Sequence, residues 1–193
     1  IALSRVKARE GKGDEAVALA QKAVTAGGGP AASAALGYAQ ESKGDTAAAE
    51  ATYRTALAAA PGNVSATVGL ARVLRTTGRA AEAEPLLQKA IEAAPGAIDA
   101  YKESARVKMA LNRPGDAVAD AAIAAAMAEN DPDAQRLSVQ VKVAQALSAR
   151  ALTTTSDSPA RAVMMMKKMA TAHTAPVSGL TSSRAMWLRD LPW

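Results

Sequence analysis

Between Ala31 and Asp131 the sequence repeats itself with a period of 34 residues. The register shows in its alanines. Ala16, Ala49, Ala83 and Ala117 lie 33, 34 and 34 residues apart, and Ala23, Ala56, Ala90 and Ala124 each follow seven residues later. Self-similarity at such a period marks stacked supersecondary units, because a single unit cannot bury its apolar stripe and must share a core with its neighbours. Small side chains at fixed places let helix backbones approach, while Leu36, Leu70, Tyr53 and Leu87 fill the space around them.

The units read as helical. Residues 31–42 and 46–59 are dominated by alanine with Leu, Glu, Lys and Arg, the strongest helix formers, over about the length of an ordinary helix. Lys43-Gly44-Asp45, Pro61-Gly62-Asn63, Thr77-Gly78-Arg79 and Pro95-Gly96 interrupt them, stopping one helix and starting the next. No segment carries a strand pattern. The expectation is an all-α chain with seven or so short helices between Ile1 and about Ala151, each packed on its neighbours in sequence.

The residues at these positions resemble the tetratricopeptide repeat, whose signature runs W-x2-L-G-x2-Y, A-x3-F, P. The unit from 30 to 63 carries Leu36-Gly37, the Gly44-Asp45 turn, Ala49, Tyr53, Ala56 and Pro61; the unit from 64 to 97 carries Leu70-Ala71, Gly78, Ala83, Leu87, Ala90 and Pro95. The unit from 98 to 131 has Tyr101 at the family's aromatic position. It departs from the pattern with Ser104-Ala105, an Asn112-Arg113-Pro114-Gly115 turn, and Glu129 where the closing proline belongs. Residues 1–29 keep Leu3-Ser4, Gly11, Ala16 and Ala23 and read as a unit that has lost its first residues. The resemblance implies a right-handed α-solenoid of stacked antiparallel helix pairs closed by a capping helix.

Asp131 as N-cap and Pro132 at the first helical position open that last helix, expected over 132–151, with Leu137, Val141, Ala144 and Leu147 on the face that covers the final repeat. From residue 152 onward the repeat code is gone. Residues 151–193 hold five of the seven Met, both Trp and the single His, and read as an irregular tail; a short basic helix at 161–171 with Met164, Met165, Met166 and Met169 is the alternative. The chain opens on Ile1 inside an expected helix, so it reads as a piece of a longer protein.

Composition narrows the function classes. With no Phe and 3% aromatic residues, the core is small and aliphatic, which suits a thin solenoid better than a globule around a large pocket. No apolar run approaches the ~18 residues of a membrane span. The absence of cysteine excludes disulfides and thiolate chemistry and fits a cytoplasmic or a periplasmic address equally. The net charge of +5 divides into +2 for residues 1–150 and +3 for residues 151–193. Without interleaved aromatics on the repeats there is no stacking platform for bases, so no nucleic-acid partner is expected.

Catalytic groups are scarce. His173 has no second His, no Cys and no acidic residue within ten positions, so neither a triad nor a metal site is expected on it. Gly27-Gly28-Gly29-Pro30 lacks both the preceding strand and the Gly-Lys-Ser/Thr ending of a phosphate loop and reads as a helix-breaking turn. Glu82, Glu84 and Glu92 fall at the spacings of a solvated helix face. The expectation is no enzyme, no cofactor and no metal.

What remains is a groove. In the resembled family the first helix of each hairpin lines the concave face, with repeat positions 2, 5, 9, 12 and 13 turned toward ligand. Carried onto this chain, the candidates are Arg5, Arg9, Tyr38, Arg72, Arg75, Lys102 and Arg106, with Glu41 and Asp99 as the acids at such positions. A cluster of guanidinium groups can hold carboxylates through forked hydrogen bonds, so the expected partner is a protein or peptide segment, acidic if the cluster is a true ligand groove; the alternative is a charged face that is merely solvated. The clamp that some relatives use for chaperone tails is missing, because Ala34, Tyr38, Gly69, Asp99 and Glu103 stand where it needs Lys and Asn or Arg. The resemblance implies a non-catalytic interaction scaffold of a bacterial multiprotein assembly, envelope or secretion related. The alternative is a regulatory or adaptor portion of a larger enzyme whose catalytic domain lies elsewhere.

Overall fold

The structure, a computed structural model, describes residues 1–156. The tail readings at 161–171 and at His173 lie outside the described residues. Ile1–Ser148 form one compact unit, and a second begins at Ala149. No strand occurs among the described residues, which form nine helices: α1 (Ala2–Arg9), α2 (Gly13–Thr25), α3 (Gly29–Lys43), α4 (Thr46–Ala59), α5 (Val64–Thr76), α6 (Ala80–Ala93), α7 (Ile98–Ala110), α8 (Pro114–Met127) and α9 (Pro132–Ser156). That is more than the seven or so expected, because the first and last units each build a full helical pair.

Each helix from α1 to α8 packs on its sequence neighbour, while α1, α3, α5 and α7 also pack on one another in turn. The odd-numbered helices therefore form one layer of the solenoid and the even-numbered helices the other. The turn inside each hairpin repeats the same backbone. Gly11, Gly44 and Gly78 adopt φ of +76°, +92° and +81°, and Asn112 takes the same place at φ +57°. A left-handed residue there lets the next amide reach back five residues: Asp45 N–H donates to the Gln40 carbonyl at 2.9 Å and Arg113 N–H to the Lys108 carbonyl at 2.9 Å. Asparagine is the side chain best able to replace glycine in that conformation, which is how the divergent fourth turn keeps its shape.

The starts of α4 and α5 are set by side-chain caps. Asp45 and Asn63 accept from the amides of Ala48 and Ala66, each at 3.1 Å, and the Asn63 amide also donates to the Pro30 carbonyl at 3.0 Å, tying the start of one repeat to the next.

The core is mostly alanine, with few large side chains buried. The principal one is Tyr53, 1% exposed, whose ring lies between α3 and α5. A β-carbon on Gly37 would stand 2.6 Å from its Cε1, and one on Gly69 would overlap the ring more deeply still. Both glycines are thus required by packing rather than by backbone conformation. One repeat later the register pairs the smaller Leu87 with Ala71 and Glu103 in those places.

Two details of the last helix differ from the sequence reading. α9 continues to Ser156 rather than ending near Ala151, since Thr153, Thr154 and Thr155 are weak helix formers but not helix breakers. Leu137 and Val141 bury against Ala105, Ala117 and Ala121, yet Leu147 is 62% exposed and lies off the packed face. α9 packs beside the 13-residue α7, about 20 Å long at 1.5 Å per residue, and Leu147 lies beyond that length.

Candidate binding groove

The first helices of the four hairpins and the start of α9 line a single open groove of about 280 Å³. Its geometry follows from the repeat. Position nine of successive units is occupied by Arg5, Tyr38, Arg72 and Arg106, and all four side chains line the groove as a column across α1, α3, α5 and α7. Arg9 and Lys102 line it as well. Of the seven candidates, only Arg75 is not a lining residue.

Four of the six bases are not free, however. Arg72 clamps Glu41 in a forked pair, with Nε to Oε1 at 2.5 Å and Nη2 to Oε2 at 2.8 Å, and its guanidinium lies 5.5 Å from the centre of the Tyr38 ring. The buried Tyr53 hydroxyl donates to the same Glu41 carboxylate at 3.3 Å. Burial by itself disfavours the charge on Arg72, but the hydrogen bonds and charge of Glu41 outweigh it and hold the guanidinium firmly protonated. Burial, reinforced by the Glu41 charge, pushes the Tyr53 phenol well above its ordinary value.

Farther along, Arg75 Nε reaches Glu103 Oε1 at 2.6 Å, and Arg106 Nη1 approaches the other Glu103 oxygen at 3.6 Å; Glu103 itself is 1% exposed. Arg106 also grips both oxygens of Asp133 at 2.7 Å. Lys102 binds Asp131 at 2.9 Å and Asp99 at 3.0 Å. Partial burial works against the Lys102 charge, and its hydrogen bonds to Asp131 and Asp99 outweigh that and raise its pKa. The Arg106 hydrogen bonds hold the Asp133 carboxyl below its ordinary range.

The expectation of six bases facing two acids is therefore corrected. Glu41, Asp99, Glu103, Asp131 and Asp133 stand among Arg72, Arg75, Lys102 and Arg106, and of the six bases only Arg5 and Arg9 have side chains with no ion-pair or hydrogen-bonding partner among the described residues. Asp133 was legible in principle, since continuing the 34-residue register past Asp131 puts it at the position of Asp99. Glu103 lies at repeat position six, outside the five groove-facing positions, and the sequence marked it only as a residue that breaks the chaperone-tail clamp.

With this geometry, the comparison with known proteins has a definite result. The family model described as "Tetratricopeptide repeat" matches residues 1–64 and again 35–98, two matches offset by the repeat length. The chain belongs to the tetratricopeptide-repeat family. No curated protein sequence matches it. Among solved structures it is similar to TTC0263, a thermophilic TPR protein in Thermus thermophilus, with a TM-score of 0.67, 20% identity, and 79% of this chain and 88% of that one covered. It is similar as well to the first TPR domain of human RPAP3 (TM-score 0.59, 18% identity, 63% and 95% covered) and to MamA from Desulfovibrio magneticus RS-1 (TM-score 0.58, 18% identity, 80% and 90% covered). At these identities the likeness is one of fold: an all-α solenoid of the kind used for protein–protein interaction.

Proposed function

We propose that the chain is a non-catalytic scaffold whose groove binds an extended segment of a partner protein. The observation that carries this reading is the convergence of side chains from α1, α3, α5, α7 and α9 on one groove, with Tyr38, Val64 and Val68 supplying apolar surface between charged neighbours. An extended segment suits a groove that crosses several parallel helices, because it can meet each repeat in turn. A place in a bacterial envelope or secretion assembly rests on the alanine-rich character of the repeats.

The test is a random peptide library selected against the folded chain. Ser65 is exposed and lines the groove, and Ser65→Trp would fill it without disturbing the core. Selected peptides should lose binding to the Ser65→Trp protein and retain it with Lys89→Trp, which plugs a separate, apolar depression bounded by Leu57, Pro61 and Leu86. The reverse pattern would move the binding surface to that depression.

A further inference from the structure

The charges lining the groove are not evenly placed along it. At the α1 end stand Arg5 and Arg9, one helical turn apart, both exposed, with no acidic residue in the lining beside them and no side-chain partner among the described residues. In the middle, Arg72 and Glu41 cancel each other. At the α7–α9 end, Lys102 and Arg106 are outnumbered by Asp99, Glu103 and Asp133, and the acid most open to solvent is Asp99, whose side chain is 75% exposed. The groove thus runs from about two unneutralised positive charges to a slight negative excess.

We propose that this polarity makes the groove select a bipolar segment, with acidic side chains or a terminal carboxylate seated at Arg5 and Arg9 and a Lys or Arg seated at Asp99. The inference rests on the groove reading above and adds the partner's charge order. Arg5 and Arg9 are positioned to accept a carboxylate without first surrendering an internal ion pair, which Arg72 and Arg106 would have to do. Asp99 is half-satisfied, with one Lys102 contact at 3.0 Å and most of its surface in water, so it can take a second cation. A uniformly acidic segment would be repelled at Asp99 and Asp133, and a uniformly basic one at Arg5 and Arg9.

The fold also sets the spacing. α1 and α7 are separated by three inner-layer steps, each roughly 8–10 Å for packed helices, and an extended chain advances about 3.3 Å per residue. The acidic and basic ends of the segment therefore stand roughly seven to nine residues apart.

The experiment uses the full chain and synthetic fluorescent peptides of one composition. In one peptide two Glu and two Lys occupy opposite ends, about eight residues apart; in its isomer the same charges alternate. The bipolar peptide should bind about tenfold more tightly by fluorescence anisotropy at physiological salt. Arg5→Ser with Arg9→Ser should erase that advantage while leaving the circular dichroism unchanged, and Asp99→Ser should reduce it. A nitroxide on the acidic end should broaden the amide signals of α1, and one on the basic end those of α7. Equal binding of the two isomers, both blocked by Ser65→Trp, would overturn the polarity and leave the groove intact. Binding of neither peptide, or binding indifferent to Ser65→Trp, would overturn the groove reading with it.

Discussion

The Tyr53 ring occupies the space that a side chain at Gly69 would need: a β-carbon there would overlap its Cζ, Cε1 and hydroxyl oxygen. In an exposed helix, Gly→Ala adds about 1 kcal/mol of stability. Here the sign reverses. Gly69→Ala should destabilise by about 1–3 kcal/mol, because neither α5 nor a fully buried tyrosine can give way easily. Urea unfolding of Gly69→Ala and of Gly69→Ala with Tyr53→Leu checks this: the second change should recover part of the loss, since it removes the ring atoms in conflict.

The Arg72–Glu41 pair yields a second outcome, opposite to that for a solvated surface charge. Both partners are more than two-thirds buried, and Glu103 also faces the guanidinium. Arg72→Glu leaves Glu41 unpaired beside a like charge, with an expected cost of about 3 kcal/mol. Combining it with Glu41→Arg should restore much of that stability. Denaturation midpoints of the two single variants and the double variant measure the coupling, and an Arg72→Glu protein as stable as the parent would show the pair to be dispensable.

Acid stability should depend on Glu50. Hydrogen bonds from Arg79 and Arg54 hold its carboxyl at about 2, below the ordinary glutamate value of 4.5. Between those values the unfolded chain binds the proton more readily than the folded one, so lowering the pH through this window favours unfolding. The contribution is complete above about pH 4.5 and vanishes near pH 2. Because Arg54 and Arg79 are considerably exposed, its size is about 1 kcal/mol. Stability measured from pH 6 to pH 2 should fall less steeply for Glu50→Gln than for the parent chain.

The same pairing recurs one repeat later, where Arg113 binds Glu84 at 2.9 Å through both carboxylate oxygens. Arg79 and Arg113 are 34 residues apart, as are Glu50 and Glu84, so this inter-repeat tie was present in the sequence as two periodic columns. Glu84 read instead as part of a solvated face, because periodicity along one helix reveals nothing about which charge a neighbouring repeat brings beside it.

The sequence by itself determined the all-α class, the 34-residue register, the turn positions and the column of groove-facing residues. These depend on local helix propensity, on residues that tolerate left-handed backbone, and on a packing code repeated three times over. Asn112 shows how local such rules are: it holds the turn that glycine holds elsewhere. Only the tertiary structure decided which groove charges remain available. Glu103, Asp131 and Asp133 reach Arg75, Lys102 and Arg106 from the next turn of the solenoid, 27 to 29 residues away. Electrostatic pairing depends on the distance between side-chain ends across packed helices, and that distance is set when the repeats stack.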